Sequence, residues 1–323
     1  MNAFDPSFSL IIPVYNRPDE MDELLQSITC QTFQNDVEVI VVEDGSSLSS
    51  EKVLEPYREQ LDLSYIYKEN TGPGHSRNVG MRRAKGNYFI ILDSDCLLPP
   101  TYLEEVRTAL NEHYCDAFGG PDAAHASFTT LQKAINYSMT SFFTTGGIRG
   151  RQHALTKFQP RSFNMGISRK AFQVTGGFSP MRTGEDIDLT CRLWAHGFET
   201  RLIEKGVVFH KRRTNFRQFF KQTFAFGKAR PLLNKRFPET AKAFYWLPSL
   251  FVGFGLFAVF SILVGSYLPA ILLLGYFALI FADSFRKNKH LWVALVSVLS
   301  TAVQFTGYGL GFLTGFFNRR LVS

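Results

Sequence analysis

Cysteine is scarce, with four residues in 323: Cys30, Cys96, Cys115 and Cys191, and no C-x-x-C pair. That excludes a disulfide framework and a cysteine-built zinc site. The thiols read as reduced packing residues of a cytoplasmic domain. Residues 1–7 are polar and the next apolar run is short, so no N-terminal signal peptide is expected. Acids are outnumbered, 28 Asp and Glu against 35 Lys and Arg, for a net charge of +7. Such an excess can mark a nucleic-acid binder. Here the cations gather at residues 205–236, just before an apolar tail. Basic residues beside membrane spans are expected on the cytoplasmic side, so no nucleic-acid partner is expected.

The abundant material is apolar: 45% hydrophobic residues and 32 phenylalanines. The length suits one large domain plus something more. Its most informative stretch is Tyr88-Phe89-Ile90-Ile91-Leu92-Asp93-Ser94-Asp95. An apolar run rich in Ile, Phe and Tyr suits a strand buried on both faces. This one ends in two carboxylates, which share a face if strand geometry persists. Carboxylates so placed repel unless a cation lies between them. Oxygen ligands suit Mg2+ or Mn2+, and Mg2+ is usually shared with phosphates. Taken alone, the stretch fits either a cation holding a diphosphate or two aspartates capping the turn before Pro99-Pro100.

In chain order, residues 8–16 read as a first strand that stops at Pro13, followed by a loop. Pro18 and the acids Asp19, Glu20, Asp22 and Glu23 start a helix. Residues 37–42 are a second buried strand ending in Glu43-Asp44-Gly45. A helix over 49–60, a strand over 63–67 and a helix over 75–84, opened by the loop Asn70-Thr71-Gly72-Pro73-Gly74, precede the acidic-ended strand. The alternation of strand and helix predicts a mostly parallel sheet with helices on both faces. Ligands bind such sheets beyond the carboxyl ends of the strands, where residues 13–16, Glu43-Asp44 and Asp93/Asp95 stand. Arg77, in the first turn of its helix, suits anionic oxygen there.

Further on, helical spacing is visible over 128–143 and a glycine-rich segment over 146–150, and residues 121–159 read as substrate-facing surface. Gly176-Gly177-Phe178 is a turn. Glu185, Asp186 and Asp188 crowd a helix start, where acids also serve as simple capping. Residues 207–210 form a strand ending in His210, a group that can be structural or a ligand.

These pieces stand in a known order. Ile12-Pro13-Val14-Tyr15-Asn16, Val42-Glu43-Asp44-Gly45-Ser46, Gly74-His75-Ser76-Arg77-Asn78, Asp93-Ser94-Asp95, Gly176-Gly177-Phe178 and Glu185-Asp186 make residues 7–230 resemble family 2 glycosyltransferases of the GT-A fold. The resemblance implies an α/β, Rossmann-like sheet and inverting sugar transfer from a nucleotide-sugar, a UDP-sugar by expectation, to a glycan or lipid-linked acceptor. By position it implies that Pro13, Tyr15 and Asp44 hold base and ribose, and that Arg77 lies near the phosphates. Asp95 would bind the metal directly, and Asp93 would meet ribose or the metal's water shell. Asp186 would be the general base with Glu185 beside it, and His210 would join the metal site. The Q-x-x-R-W motif of processive members is missing: residues 217–222 offer glutamines but no Arg-Trp pair.

From Trp246 the chain changes character. Residues 246–265, 268–282 and 291–317 are apolar, with Arg286-Lys287-Asn288-Lys289-His290 between the last two. Two to three spans of a multi-pass cell-membrane protein are expected, with a cytoplasmic catalytic domain over 1–212, an interface segment over 213–245 and a membrane region over 246–323. Phenylalanines and cations alternate over 215–226, which suits a helix lying among membrane lipids. Gly307, Gly309, Gly311 and Gly315 suit close helix packing. Two rivals remain at this stage. A sugar nucleotidyltransferase would want a Gly-rich, Lys-bearing signature near the N-terminus, which residues 10–18 lack. A non-catalytic membrane scaffold of the same fold would not need Asp93, Asp95 and Asp186.

Overall fold

The computed structural model describes residues 5–33, 37–146 and 157–318. Its elements run β1 (Phe8–Val14), α1 (Pro18–Thr29), β2 (Glu38–Asp44), α2 (Glu51–Leu54), β3 (Asp62–Lys68), α3 (Pro73–Arg83), β4 (Tyr88–Leu92), β5 (Cys96–Leu97), α4 (Tyr102–Glu112), β6 (Ala117–Gly119) and β7 (Asp122–Ala123). Then follow α5 (Thr130–Thr140), α6 (Phe142–Thr145), β8 (Asn164–Ser168), α7 (Arg169–Thr175), α8 (Glu185–Ala195), β9 (Thr200–Leu202), β10 (Val208–His210), α9 (Phe216–Arg236), α10 (Leu247–Leu263), α11 (Leu268–Asn288) and α12 (Leu291–Phe317).

They form two compact units: Met1–His125 with Gly150–Lys211, and Ala126–Arg149 with Arg212–Ser323. The first unit holds a seven-stranded sheet of order β3-β2-β1-β4-β8-β6-β9. Pairs β2–β3, β1–β2 and β1–β4 are parallel, whereas β8 runs antiparallel to β4 and β6. The expected mostly parallel sheet is present. The order reverses at β1, so the topological switch point lies between β1 and β4.

Strand alternation sorts the core into two layers. Leu10, Ile12, Val39, Val41, Ile90 and Leu92 pack with α1 and α4 on one face. Ile11, Ile40, Val42, Phe89 and Ile91 pack with α3, α7 and α8 on the other. α1 begins at Pro18 and buries Met21, Leu24, Leu25 and Ile28, a helical stripe. α3 approaches the sheet so closely that a Cβ on Gly80 would lie 2.6 Å from Ile11.

Two local expectations change. Pro13 does not stop β1: it pairs with Val42, beyond the last β1–β4 pair, Ile11 with Ile91. The helix expected over 49–60 is only Glu51–Leu54 followed by a 3-10 turn at Glu55–Tyr57. Pro56 ends the α-helical ladder, since it lacks the N–H that would bond back to the preceding turn.

In the second unit, three helices among the described residues are long and apolar enough to cross a membrane: Ala243–Leu263, Leu268–Asn288 and Leu291–Phe317. α11 outruns the apolar stretch expected to end at Ala282, because Asp283 is compensated. Its carboxylate accepts from Tyr137 at 2.8 Å and Ser141 at 3.1 Å and pairs with Lys287 at 2.8 Å. Tyr137 and Ser141 lie on or just after α5, and α5 accordingly falls in the second unit with the apolar helices. α5 itself starts in a capping box, Thr129 with Gln132. Most of the glycine-rich segment of 146–150, and Arg319-Arg320, lie outside the described residues. The α12 glycines do admit close neighbours: a Cβ on Gly307, Gly311 or Gly315 would lie 2.2, 2.1 or 2.3 Å from Thr223, Phe224 or Lys228 of α9. α9 has no acidic residue, and Arg217, Lys221, Lys235 and Arg236 stand exposed on it.

Candidate active site

β4 stops at Leu92, and the chain turns at once: Cys96 N donates to Asp93 O at 3.1 Å. Asp93 and Asp95 therefore do not share a strand face, as extended geometry would require. Each carboxylate meets a different arginine. Asp93 accepts from Arg77 Nη2 at 2.7 Å. Asp95 pairs with Arg17, the residue that ends the loop after β1.

Arg77 is the hub. Its Nη1 donates to Glu185 Oε1 at 2.9 Å, its guanidinium lies 5.2 Å from the centre of the Phe178 ring, and it is 3% exposed. The acids after β4 and at the start of α8 are thus joined by one side chain. Its Nε is buried with no hydrogen-bond partner, a donor left unused. Burial works against the Arg77 cation, but Asp93 and Glu185 outweigh it and hold the group above its ordinary pKa. Burial, then the neighbouring Asp186, pushes Glu185 up to about 7, against the pull of Arg77.

The Gly-Gly-Phe turn sets this geometry. Gly176 and Gly177 have φ of 71° and 77°, a region that glycine enters without strain. Asn78 of α3 grips the turn twice, accepting from Phe178 N at 2.8 Å and donating to Phe178 O at 2.7 Å. Arg192 of α8 grips it from the other side, donating to Thr175 O and Gly177 O at 2.6 Å each. Asp188, fully buried, orients Arg192 at 2.9 Å. The turn therefore fixes α3 against α8, and with them Arg77 against Glu185. Asp186, next to Glu185, lies 3.6 Å from Arg161.

His210 closes the other flank. β10 pairs with β5, so His210 stands opposite Cys96. Its Nε2 is 3.1 Å from Asp95 Oδ1, its ring stacks on Phe163 at 4.8 Å, and its Nδ1 lies 4.0 Å from Asp122. Ligand atoms of Asp95, Cys96 and His210 lie within 4.8 Å of one another. Two adjacent ligands of an octahedral ion with bonds near 2.1 Å stand about 3 Å apart, so the Asp95–His210 pair fits a divalent cation. Cys96 does not belong to that set. Burial, with Asp95 and Asp93 nearby, pushes its thiol well above the usual range, and Sγ already donates to Phe163 O at 3.4 Å.

Asp44 occupies a neighbouring position. Its carboxylate accepts from Thr71 N at 3.0 Å and Gly72 N at 2.9 Å and pairs with Lys68. Burial pushes its pKa up, but Lys68 and the backbone donors outweigh that and hold it below the carboxylate range. It bonds to no member of the acid–arginine cluster; it fixes the loop that opens α3. Glu43 is likewise internal, accepting from Ser50 N at 2.8 Å. Pro13 is buried, and Tyr15 is half exposed beside Asn16, which takes φ of 54°. Sequence reasoning missed Arg17, Arg161 and Asp122. Arg17 alone carried a signal: a cation one residue past the motif after β1, at the switch point.

A sequence model described as Glycosyl transferase family 2 matches residues 9–176, which include Asp44, Arg77, Asp93 and Asp95 and stop short of Glu185 and His210. An uncharacterized glycosyltransferase of Rickettsia typhi is 40% identical over 111 residues, 34% of this chain and 34% of that protein. The poly(ribitol-phosphate) beta-N-acetylglucosaminyltransferase TarS of Staphylococcus aureus is 35% identical over 112 residues, 34% of this chain and 20% of TarS. The match thus spans about a third of the length of these relatives, or less. Among solved structures, the mannosyltransferase PcManGT from Pyrobaculum calidifontis in complex with GDP-Man and Mn2+ superposes with a TM-score of 0.63 and 18% identity, over 94% of this chain and 88% of that one. TarS 1–349 of S. aureus in complex with UDP-GlcNAc gives 0.52 and 18%, over 95% and 91%. At such identities the likeness is one of fold, the GT-A fold. With more than half of its length matched to the family, this chain belongs to glycosyl transferase family 2.

Proposed function

We propose that the protein is an inverting, metal-dependent glycosyltransferase that moves a sugar from a nucleotide-sugar to a glycan or lipid-linked acceptor at a membrane. The observation that carries this reading is the Arg77 bridge. Through it the acids that follow β4 and that start α8 gather at the switch point, next to the Asp95–His210 pair. Solved neighbours in complex with GDP-Man and with UDP-GlcNAc support a nucleotide-sugar donor, and the Mn2+ bound with GDP-Man in PcManGT supports a divalent cation. Asp95 and His210 would hold that cation, with Asp93 near its water shell. Pro13, Tyr15 and the Asp44 loop would take the base and ribose.

When bound, the cation offsets the charge growing on the leaving diphosphate. The chain's own groups do the rest. Arg77, already desolvated and fixed by two acids, presents a cation that needs no reorganisation as the sugar–phosphate bond breaks. Asp186 takes the proton from the attacking acceptor hydroxyl, while Glu185 is engaged by Arg77. The α10–α12 helices, long and apolar enough to span a bilayer, support an acceptor that is itself in the membrane. The test is a nucleotide-sugar panel read by mass spectrometry on the full chain in membranes. One donor should be consumed with Mn2+ or Mg2+, with kcat down about 10²–10⁴-fold in Asp186→Asn and turnover lost in Asp95→Ala. Turnover that is indifferent to both substitutions contradicts the reading.

A further inference from the structure

The acids of the candidate site are each matched by an arginine: Asp95 by Arg17, Asp93 and Glu185 by Arg77, Asp186 by Arg161. The three arginines are not alike. Arg77 is held by two acids, stacked on Phe178 and 3% exposed, so it cannot leave. Arg161 faces the proposed base at 3.6 Å. Arg17 alone is paired with the candidate cation ligand, and its side chain is 30% exposed. It stands at the foot of α1, at the mouth of the β1–β4 switch point.

We infer that Arg17 is a resident counter-ion that competes with the divalent cation at Asp95 and transfers to the donor's diphosphate, so that cation and nucleotide bind cooperatively. This rests on the function proposed above. Arg17 holds Asp95 Oδ2, while Oδ1 faces His210. A cation on Oδ1 and a guanidinium on Oδ2 stand one carboxylate apart, two positive groups drawing on one anion. Cation binding to the nucleotide-free protein is therefore weak. A diphosphate gives Arg17 a second anion, whose fork geometry it matches, and removes the conflict. The coupling is reciprocal: whatever factor the nucleotide adds to cation affinity, the cation adds to nucleotide affinity.

The experiment is calorimetric titration of the full chain in detergent with Mn2+, alone and at saturating UDP or GDP. In the native protein, nucleotide should tighten Mn2+ binding more than tenfold. Arg17→Gln should bind Mn2+ alone about tenfold more tightly, a change of about 1.4 kcal/mol, and its nucleotide enhancement should shrink by a similar factor. Arg17→Lys, which keeps the charge but not the fork, should bind Mn2+ alone within about threefold of the native protein while its nucleotide enhancement falls by about threefold or more; if the glutamine variant does not fold, an undiminished enhancement in Arg17→Lys overturns the inference. Unchanged Mn2+ affinity with undiminished enhancement in Arg17→Gln overturns this inference alone, as does a lysine variant that matches a folded glutamine variant. Absence of both Mn2+ and nucleotide binding in the native protein overturns the proposed function as well.

Discussion

Removing Arg77 tests the centre of the site, because its cost can be worked from its neighbours. Arg77→Met keeps the bulk against Phe178 but deletes the cation shared by Asp93 and Glu185. The two acids do not suffer equally. The Asp93 side chain is 31% exposed and can rehydrate, so its share is small. Glu185 is 8% exposed and sits beside Asp186, so it is left buried and uncompensated. Breaking a buried pair costs about 3–5 kcal/mol, and since Glu185 can escape by taking a proton, the low end, about 3 kcal/mol, is expected. For a domain of 150–250 residues that corresponds to a fall of about 6–12 °C in melting temperature. Its pH dependence has a definite sign. With its folded pKa at about 7, above the ordinary 4.5, Glu185 contributes stability below pH 4.5 that is lost as pH rises through 7. The penalty of Arg77→Met should therefore be larger at pH 8 than at pH 6. Adding Glu185→Gln should recover most of it. Thermal melts of the full chain in detergent, run as a double-mutant cycle at both pH values, measure all of this. A loss under about 2 °C, or a double variant no more stable than Arg77→Met, would refute the reasoning.

Three further outcomes are expected. Gly177→Ala should lower the melting temperature of the full chain by several degrees and weaken nucleotide binding, because φ is +77° and the new Cβ lies 2.3 Å from Asn78 Oδ1; a neutral result would mean the turn does not fix α3 against α8. Gly311→Leu should part α9 from α12, since even a Cβ there is 2.1 Å from Phe224 O, and limited trypsin digestion should then cut sooner at Lys221 and Lys228. Lys68→Met removes the leading group holding Asp44 below the carboxylate range. That stability is present above the ordinary value of 3.8 and lost as pH falls through the folded value, so the acid-denaturation curve of the variant should show a smaller contribution from Asp44.

β1, β2 and β4 were legible because each is a largely apolar run that gives way to Pro or acids, and such runs suit burial on both faces; β3, half exposed along its length, was legible from its aromatic and β-branched residues. Pro18 likewise announced α1, whereas α3 begins at Pro73, inside the loop expected to open it, and not at His75. Of the small sheet β5-β10-β7 only β10, expected over 207–210, was legible; β5 and β7 are two residues each, carry no period and were not legible. Nor was the attachment of 126–149 to the C-terminal helices. Its helical spacing was visible, but its partners, Asp283 and the α12 face, lie far along the chain. The acids of the site could be named from strand ends and motifs. Their pairing could not, because Arg17 and Asp95 stand 78 positions apart, and Arg77 and Glu185 108. The turn after Leu92, which sends Asp93 and Asp95 to different arginines, overrode the period-two expectation for the same reason: tertiary partners decided it.

In the proposed site a nucleoside diphosphate, a divalent cation and His210 meet at one place. Pulsed electron paramagnetic resonance of Mn2+ bound to the full chain with UDP or GDP tests this directly. A single ion should show both a phosphorus coupling from the diphosphate and a nitrogen coupling that vanishes in His210→Gln. A phosphorus coupling with no nitrogen from His210, or an ion that binds undisturbed in Asp95→Asn, would contradict it.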